Sequence, residues 1–393
     1  PPEALDRMRA QSTVSPVALL DGRTTWVVTG FEQARAVLSD RRFSSDRFRH
    51  GSLFSDVSDE VRKQLLDERG RAGSFISMDP PEHSRYRKLL TATFTVRRMR
   101  QLTPRIVDIV TEHIDAMLAA GTSADLVAAF ALPVPSLVIC ELLGVPYAER
   151  REFQQRSAVM LRLETPIEDF LRVREEMRQF MRRLVAHKRD QPADDLLSEL
   201  AHSDADAALT DDELVNIANL LLIAGHETTA NMFALGIFAL LEHPDQLDTL
   251  RADPSLIDGA VEELLRYLSI VHIGLTRVAL EPVTLGGHEI PAGATVLISV
   301  PEANRDPEHW NDPGRLDVTR TRKPHLAFGH GVHQCLGQQL ARVEMTVGFT
   351  ELLHRLPGLR LAIPPKDVPL RSDMLIFGVH ALPVHWDDPR LPQ

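Results

Sequence analysis

The most apolar stretch of this chain, residues 214–241, is the feature that most constrains its fold. Thr210 and Glu213 have the spacing of a capping box, which predicts that a helix begins directly after Thr210. That helix is apolar around nearly its whole circumference, so other elements must cover it on every side. It also carries polar residues that a lipid-exposed span would exclude, namely Asn216, Asn219, His226, Glu227 and Asn231. We therefore expect it to be the central helix of a large protein core and not a membrane span.

The rest of the sequence predicts a mainly α fold with a small β-rich region. Helical periodicity dominates residues 82–90, 106–119, 134–143, 167–187 and 255–269. A strand followed by a helix is expected at residues 24–40, and the glycine and proline turns of residues 284–300 indicate a small antiparallel hairpin. Residues 301–325 predict a meander interrupted by prolines, and the alternation in residues 367–386 predicts a terminal pair of strands.

Composition limits the classes of protein to which the chain can belong. Its 44 Lys and Arg against 55 Asp and Glu give a formal net charge of −11, which repels phosphate backbones and anionic membranes. We therefore expect no nucleic-acid or membrane partner. Two cysteines cannot form a disulfide framework, which favours the cytoplasm, and Cys140 is expected to be a small buried apolar residue. Residues 1–393 contain no linker, repeat or charge block at which to divide them, so we expect one domain and a monomer.

Cys335 lies in the segment FGHGVHQCLG, residues 328–337, directly before a predicted helix. Free N–H groups and the positive end of the dipole at a helix start favour thiolate over thiol, and the thiolate is the form that binds metal. Gly329, Gly331 and Gly337 allow the backbone to approach a flat or bulky group closely. The alternative is a loop cysteine without a chemical role, flanked by glycines that only form turns.

Phe328, Gly331, Cys335 and Gly337 match the pattern F-x-x-G-x-x-x-C-x-G. In this segment the chain resembles the haem-thiolate monooxygenases of the cytochrome P-450 family. The resemblance implies a triangular, mostly α fold in which haem b lies between the central helix and the helix after Cys335. It also implies that Cys335 is the axial ligand of the haem iron, and that the glycines make room for the macrocycle and for N–H donors to the sulfur.

The central helix contains AGHETT, in which Gly225 costs about 1 kcal/mol relative to alanine and therefore needs a reason. One explanation is packing, with a close helix contact at Gly225 and the Thr228 hydroxyl bonded to a carbonyl one turn back. The resemblance implies another explanation. It places an oxygen-binding groove at Ala224, in which Glu227 and Thr228 relay protons to dioxygen.

The same stretch also tests a rival function. His226 and Glu227 could begin the zinc-protease pattern H-E-x-x-H, in which two histidines one helical turn apart share the metal. Ala230 stands where the second histidine is required, so the sequence excludes this reading.

The segment EELLR supplies Glu263 and Arg266 at positions i and i+3 of one helix face. Taken alone, such a pair is usually solvated and contributes little to the stability of the folded protein. The resemblance implies instead a buried structural pair that meets an arginine from the meander, which we predict to be Arg315. We assign these three residues to folding and to the integrity of the haem pocket, not to catalysis.

The two propionates of a haem require positively charged partners. His83 and Arg87 are spaced i, i+4 on one predicted helix face, which suits a carboxylate clamp. Basic residues exposed at a helix start are the alternative. The resemblance implies that His333 and Arg277 supply the other propionate contacts, and that loss of any of the four weakens haem retention.

Basic residues at 95–100 and 320–323, with Lys88 and Arg342, stand out against the acidic background. Solvated helix faces are the usual explanation for such clusters. In the P-450 family, however, the cysteine side of the haem receives an acidic electron carrier, so we expect a ferredoxin to dock there, steered by charge. The resemblance implies that electrons pass from NAD(P)H through a ferredoxin reductase and a ferredoxin, since no reductase domain is fused to the chain.

The resemblance implies a monooxygenase that inserts one atom of O2 into a C–H or C=C bond of a large apolar secondary metabolite. LLLIAGHETTAN and AFGHGVHQCLGQQLAR look most like members that act on macrolides and other polyketides. We expect pocket walls in residues 45–77, 155–175, 270–276 and 376–379, although core packing explains their aliphatic residues equally well. His272, in this region, is expected to be an exposed loop histidine.

Other functions stay open at this point. A broad-specificity xenobiotic, terpene, steroid or fatty-acid hydroxylase would share the same motifs. A peroxygenase or an oxidative cross-linking catalyst is another possible function. Peroxide-driven members of the family tend to replace the acid and alcohol pair, which is intact here at Glu227 and Thr228. A haem-binding sensor without enzymatic activity would have no use for a proton relay.

Overall fold

The computed structural model describes residues 3–19, 22–50, 63–64, 67–203, 208–273 and 275–388. Helices make up most of this part of the chain, which confirms the mainly α class. Their bounds are Glu3–Gln11, Phe31–Ser39, Arg47–His50, Glu68–Arg71, Glu82–Thr93, Val96–Ala120, Pro133–Leu143, Arg150–Leu161, Ile167–Asp190, Leu196–Ala201, Asp211–Glu242, Pro244–Ala252, Ile257–Leu268, Val300–Ala303 and Gln338–Arg355.

The predicted central helix is Asp211–Glu242, and the capping box begins it as expected. Thr210 Oγ1 accepts the N–H of Glu213 at 3.3 Å, and Glu213 Oε2 accepts the N–H of Thr210 at 2.7 Å. By length and composition alone this helix could cross a membrane, but 72% of its most apolar window is buried inside the protein. It is therefore covered by protein, in agreement with the sequence.

The β-rich region is small, and its described strands lie near the two ends of the chain, at residues 123–125 and at residues 276–298. Its strands are β1 (Val14–Ala18), β2 (Thr24–Val28), β3 (Phe43–Ser44), β4 (Ser123–Asp125), β5 (Thr276–Ala279), β6 (Val283–Leu285), β7 (His288–Ile290), β8 (Thr295–Ile298), β9 (Arg360–Leu361) and β10 (Pro383–His385). One described sheet has the order β1-β2-β8-β5-β3, with β2 and β8 parallel and the other pairs antiparallel. A second has the order β4-β10-β9.

The predicted hairpin is the pair β6 and β7, whose two-residue turn is Gly286-Gly287 with positive φ at both positions. Strand β8 continues into the larger sheet instead of joining the hairpin. The terminal strand pair predicted for residues 367–386 is reduced to an isolated bridge between Leu370 and Val379, and β10 pairs with β4 and β9 instead.

The central helix crosses the helix that follows Cys335, Gln338–Arg355, which we call the post-cysteine helix. A Cβ at Gly236 would collide with the ring of Phe349, and a Cβ at Gly348 would collide with the ring of Phe233. The two rings meet edge to face, with centroids 5.5 Å apart. A glycine in each helix thus leaves room for a phenyl ring of the other helix, and these two contacts fix the distance between the helices.

The pair Glu263 and Arg266 is buried, as predicted, and ties helix Ile257–Leu268 to the meander. Arg266 donates from Nε and Nη2 to the two carboxylate oxygens of Glu263, at 2.7 and 2.8 Å. Its remaining donors go to meander carbonyls, including that of Arg315 at 3.1 Å. Arg266 therefore holds an irregular segment in place, by donating to backbone carbonyls that accept no hydrogen bond within a sheet or helix.

The prediction that Arg315 is the third member of this network is wrong. Arg320 takes that place, with Nε at 3.1 Å from both carboxylate oxygens of Glu263. The side chain of Arg320 is 13% exposed and that of Glu263 is 2% exposed, whereas Arg315 is exposed and contributes only its carbonyl oxygen. Both arginines lie in irregular backbone, so spacing in the sequence does not reveal which side chain turns inward.

The two meander arginines allow a matched test. Replacing Arg320 with Met should lower the free energy of unfolding by about 3 kcal/mol, because it leaves a buried carboxylate with one partner fewer. Replacing the exposed Arg315 with Met should change it by about 0.5 kcal/mol or less. Urea-induced unfolding followed by circular dichroism measures both, and equal losses in the two variants would contradict the assignment.

Candidate active site

Cys335 lies in the loop immediately before the post-cysteine helix, as the sequence predicted. Its N–H donates to the carbonyl oxygen of Phe328 at 2.8 Å, which closes the loop into a tight turn. Gly337 caps the helix, and its N–H is directed to the sulfur. Burial raises the pKa of the Cys335 thiol, while the Gly337 N–H and the guanidinium groups of Arg87 and Arg342 act to lower it. The sulfur therefore has the N–H donor and the nearby positive charges that stabilise a thiolate.

The glycines of this loop serve different purposes. Gly331 has φ +72°, and a Cβ there would collide with the carbonyl of Leu38, at the end of helix Phe31–Ser39. Gly331 therefore allows the loop to pack against that helix. A Cβ at Gly337 would meet no atom of the described residues within 4 Å, and the same holds at Gly329. The backbone next to the sulfur thus borders space that a flat group could fill.

Basic side chains converge beside this loop from separate parts of the chain. His83 and Arg87 come from helix Glu82–Thr93, Arg277 from β5, and His333 from the cysteine loop. The rings of His83 and His333 lie 4.2 Å apart between centroids. Burial, and to a smaller extent the neighbouring positive charges, lower the pKa of His83. The same two causes, in the same order, hold the pKa of His333 at about 3. Burial likewise holds the pKa of Arg277 at about 10 and lowers that of Arg87.

This cluster fits the carboxylates of a haem. Both ring nitrogens of His83 and Nε2 of His333 are buried without a hydrogen-bond partner among the described residues. The nearby acid, Asp79, accepts from the backbone N–H of Ser45 at 2.8 Å and from the Ser44 hydroxyl. The guanidinium groups of buried Arg277 and half-buried Arg87, with the unsatisfied histidine nitrogens, favour an anionic ligand, because only opposite charge and hydrogen bonds offset their desolvation. The four predicted propionate contacts are thus brought together beside Cys335.

The groove residues of the central helix have contrasting surroundings. Ala224 is exposed although the helix around it is buried, and Thr228 is half-buried one turn later. Thr228 Oγ1 donates to the Ala224 carbonyl oxygen at 2.8 Å, and a Cβ at Gly225 would press into Ile139 of helix Pro133–Leu143. Both parts of the packing explanation for AGHETT are therefore confirmed. The backbone carbonyl of Ala224 and the hydroxyl of Thr228 also give this surface its polar atoms.

Glu227 is directed away from Thr228, and the two side chains are not brought together. Its Oε2 accepts from Arg371 Nη1 at 3.2 Å, and Asn231 lies between them, with its Oδ1 also 3.2 Å from Arg371 Nη1. These three residues line an open cleft of about 310 Å³. Glu227 is 3% exposed, and its carboxylate is held at the wall of this cleft by one guanidinium and one amide.

Sequence reasoning missed Arg371 and Asn231. Asn231 follows Glu227 by one helical turn, and its Nδ2 donates to the Glu227 carbonyl oxygen at 2.7 Å, so helical spacing could have indicated it. Arg371 comes from irregular chain 144 positions away, and no local pattern identifies it.

The predicted pocket walls are partly brought together. The segments at 270–271 and 376–377 run side by side, through a bridge between Val271 and Ile376 and a hydrogen bond from the Phe377 N–H to the Ile270 carbonyl oxygen at 2.9 Å. Residues 51–62, 65–66 and 274 of the predicted walls lie outside the described residues.

The prediction that His272 is an exposed loop histidine is wrong. Its ring stacks on Phe377 with centroids 4.4 Å apart, and the residue is half-buried. Burial, followed by the positive charge of Arg305, holds its pKa at about 4. His272 is therefore an uncharged packing residue at neutral pH.

Comparison with known proteins agrees with this geometry. The family model described as Cytochrome P450 matches residues 21–385. Cytochrome P450-SU2 of Streptomyces griseolus is 46% identical over 385 residues, which cover 98% of this chain and 93% of that protein. A crystal structure of Rif16 in complex with R-L is 57% identical with a TM-score of 0.87, over 98% of this chain and 96% of that one. A crystal structure of CYP105P1 in complex with filipin I is 43% identical with a TM-score of 0.91, over 99% and 96% of the two chains.

The basic cluster can be tested through haem retention. Replacing Arg87 with Gln removes one positive charge from the cluster that fits the propionates, so haem should transfer to apomyoglobin about ten times faster. The exposed neighbour Lys88 provides the control, and K88Q should leave the rate unchanged. Stopped-flow absorbance measures both rates, and a K88Q rate as fast as that of R87Q would contradict the clamp.

Proposed function

This chain belongs to the cytochrome P450 family of monooxygenases, and we propose that it oxidises a large apolar secondary metabolite, with macrolides and other polyketides as the substrate class. One atom of O2 enters a C–H bond, giving an alcohol, or a C=C bond, giving an epoxide. The other atom leaves as water, with two electrons from NAD(P)H and two protons. The observation that carries the proposal is the basic cluster beside Cys335, which suits the propionates of a haem whose iron is bound by the cysteine sulfur.

The family has a haem-thiolate cofactor, and we propose haem b for this chain. Haem, when bound, supplies the activation of dioxygen and the transfer of one oxygen atom to the substrate. Cys335 would be the ligand of the iron. Side chains of the basic cluster would hold the propionates, while Phe328, Gly331, Gly337 and Ala224 would border the macrocycle. The Gly337 N–H and the positive charges near the sulfur support this role, since they oppose the rise that burial causes in the pKa of the thiol.

Glu227 and Thr228 would deliver protons, each from its own side of the central helix. The Thr228 hydroxyl donates its proton to the Ala224 carbonyl oxygen, so it would donate toward the groove only after turning away from that carbonyl. The Glu227 carboxylate lies at the wall of the open cleft, where solvent protons arrive. Because Arg371 and Asn231 hold that carboxylate, its proton transfer requires a change of side-chain rotamer.

Electrons would come from a separate ferredoxin and an NAD(P)H-dependent ferredoxin reductase, with the chain acting as a single-domain monomer in the cytoplasm. Of the predicted basic patches, Arg342 and Arg320 are engaged with Glu262 and Glu263, so they offer less free charge than expected. Lys88, Arg97 and Arg100 are exposed and support docking of an acidic partner on the cysteine side.

The choice of substrate rests on the apolar walls and on one comparison. Ile270, Val271 and Ile376 meet at the paired wall segments, and helices Arg150–Leu161 and Ile167–Asp190 cover the predicted segment 155–175. The relative that was solved in complex with filipin I supports a macrolide or polyketide. A terpene, steroid, xenobiotic or fatty-acid hydroxylase is the second candidate, because apolar walls alone do not select among these molecules.

A titration tests the substrate class. The haem-loaded protein, checked by the far-red Soret band of its reduced carbon-monoxide adduct, is titrated with macrolides, polyenes, terpenes, steroids and fatty acids. We expect macrolides or polyenes to displace water from the ferric iron, seen as a blue shift of the Soret band, at least tenfold more tightly than the others, or about 1.4 kcal/mol. A response to fatty acids alone would end the polyketide assignment, and a missing far-red band would end the haem-thiolate assignment.

The two adjacent threonines test the role of the central helix. T228V removes the groove hydroxyl at nearly constant volume, so the yield of product per NAD(P)H should fall about tenfold or more while NAD(P)H oxidation continues and hydrogen peroxide accumulates. T229V alters a buried neighbour and should keep coupling near that of the parent protein. Product, peroxide and NAD(P)H are measured together with a plant-type ferredoxin and its reductase. Unchanged coupling in T228V would refute the assigned role.

A further inference from the structure

Two adjacent glutamates on helix Ile257–Leu268 face different neighbours. Glu263 belongs to the buried network with Arg266 and Arg320. Glu262 faces the loop that carries Cys335. Arg342 and Phe328 connect Glu262 to that cysteine, and each of these residues contacts the next.

Glu262 accepts hydrogen bonds from two sides. Arg342 of the post-cysteine helix donates Nε and Nη2 to its two oxygens at 2.6 and 3.1 Å, which is a bidentate pair. His325 places Nε2 at 3.1 Å from Oε2. The N–H of Ala327 donates to His325 Nδ1 at 3.2 Å, so Nδ1 carries no proton and Nε2–H is the donor to Glu262. Glu262 thus anchors both the post-cysteine helix, through Arg342, and the loop before the cysteine, through His325.

Arg342 connects this pair to the cysteine. Its guanidinium carbon lies 4.6 Å from the centroid of the Phe328 ring, within the range of a cation–π contact. The carbonyl oxygen of Phe328 accepts the N–H of Cys335, and the charge of Arg342 acts to lower the pKa of that thiol. Burial raises the pKa of Glu262, but the hydrogen bonds from His325 and Arg342 outweigh it and hold the pKa at about 2. The pair is therefore charged on both sides at neutral pH.

We propose that Glu262 is a positioning residue of the thiolate site, which holds Arg342 against Phe328, offsets its positive charge at the sulfur, and so sets the reduction potential of the haem iron. The inference rests on the proposed haem-thiolate function. Potentials of such sites depend on the charge and hydrogen bonding around the ligand sulfur. Reduction adds one negative charge, so an uncompensated cation near the sulfur favours the reduced iron and an uncompensated anion disfavours it.

The position of the pair makes this effect specific. Arg342 and Glu262 have 27% and 21% exposed side chains, so water screens them only in part. They line the inner side of an open cleft of about 490 Å³ that also contains Asp258 and Arg322. Those two side chains are 62% and 59% exposed and 3.9 Å apart, and solvent screens their charges. Asp258, four positions before Glu262 on the same helix, is therefore a matched control.

The experiment measures the midpoint potential of the ferric/ferrous couple by spectroelectrochemical titration of the haem-loaded full chain. E262Q should shift the potential upward, because Arg342 loses its counter-charge. R342Q should shift it downward, because Glu262 is left uncompensated. The double variant E262Q/R342Q should lie close to the parent protein, R342K should shift less than R342Q, and D258N should not shift.

The signs separate this proposal from a merely structural role. Loosening of the loop would move E262Q and R342Q in the same direction, and that result, or no shift in either, would overturn the proposal. A shift in D258N as large as in E262Q would also overturn it. Should E262Q retain too little haem to titrate, R342Q and R342K decide, and the proposal requires the downward shift of R342Q to exceed that of R342K. Failure of the proposed function is a different outcome, since the parent protein would then lack the far-red Soret band.

Discussion

The crossing between the central helix and the post-cysteine helix is the contact on which the rest of the structure depends. Gly236 receives the ring of Phe349 and Gly348 receives the ring of Phe233, so the distance between the helices is fixed from both sides. A methyl group at either glycine would force the rings out of this arrangement, which typically costs 1–3 kcal/mol in a packed core. One of these helices carries Thr228 and the other follows Cys335. The crossing therefore sets the frame to which both halves of the candidate site are attached.

Buried charges then attach the irregular segments to this frame, and each is stabilised differently. Glu263 has two arginine partners, and Glu262 has an arginine and a histidine. Glu344 is buried with Oε2 unpaired among the described residues, and burial raises its pKa well above the usual value, so it is a neutral acid. The basic cluster at His83 differs from all of these, because the guanidinium groups of Arg87 and Arg277 there form no ion pair among the described residues. Such a local imbalance is expected where a ligand supplies the missing charge.

Sequence patterns were sufficient where the cause is local. The capping box at Thr210, the hairpin turn at Gly286-Gly287 and the need for glycine at position 225 each depend on a few neighbouring residues, and all three are confirmed. Patterns failed where the partner is distant and the backbone is irregular. Arg320 and Arg315 lie five positions apart in the same meander, and only the tertiary fold decides which one reaches Glu263.

Similar limits apply to the site itself. Arg371 reaches Glu227 from a segment without periodicity, so no sequence pattern indicates this contact. The role of Glu262 was missed because the sequence does not show which of two consecutive glutamates faces which partner. Consecutive residues on a helix point about 100° apart, and this geometry gives each glutamate its own partner. The same rule separates Glu227 from Thr228 on the central helix. The proposed function would use this separation, with Thr228 on the groove side of the central helix and Glu227 at the cleft that Arg371 and Asn231 also line. In that proposal the helix would act as a partition, with proton uptake on one side and an apolar substrate on the other.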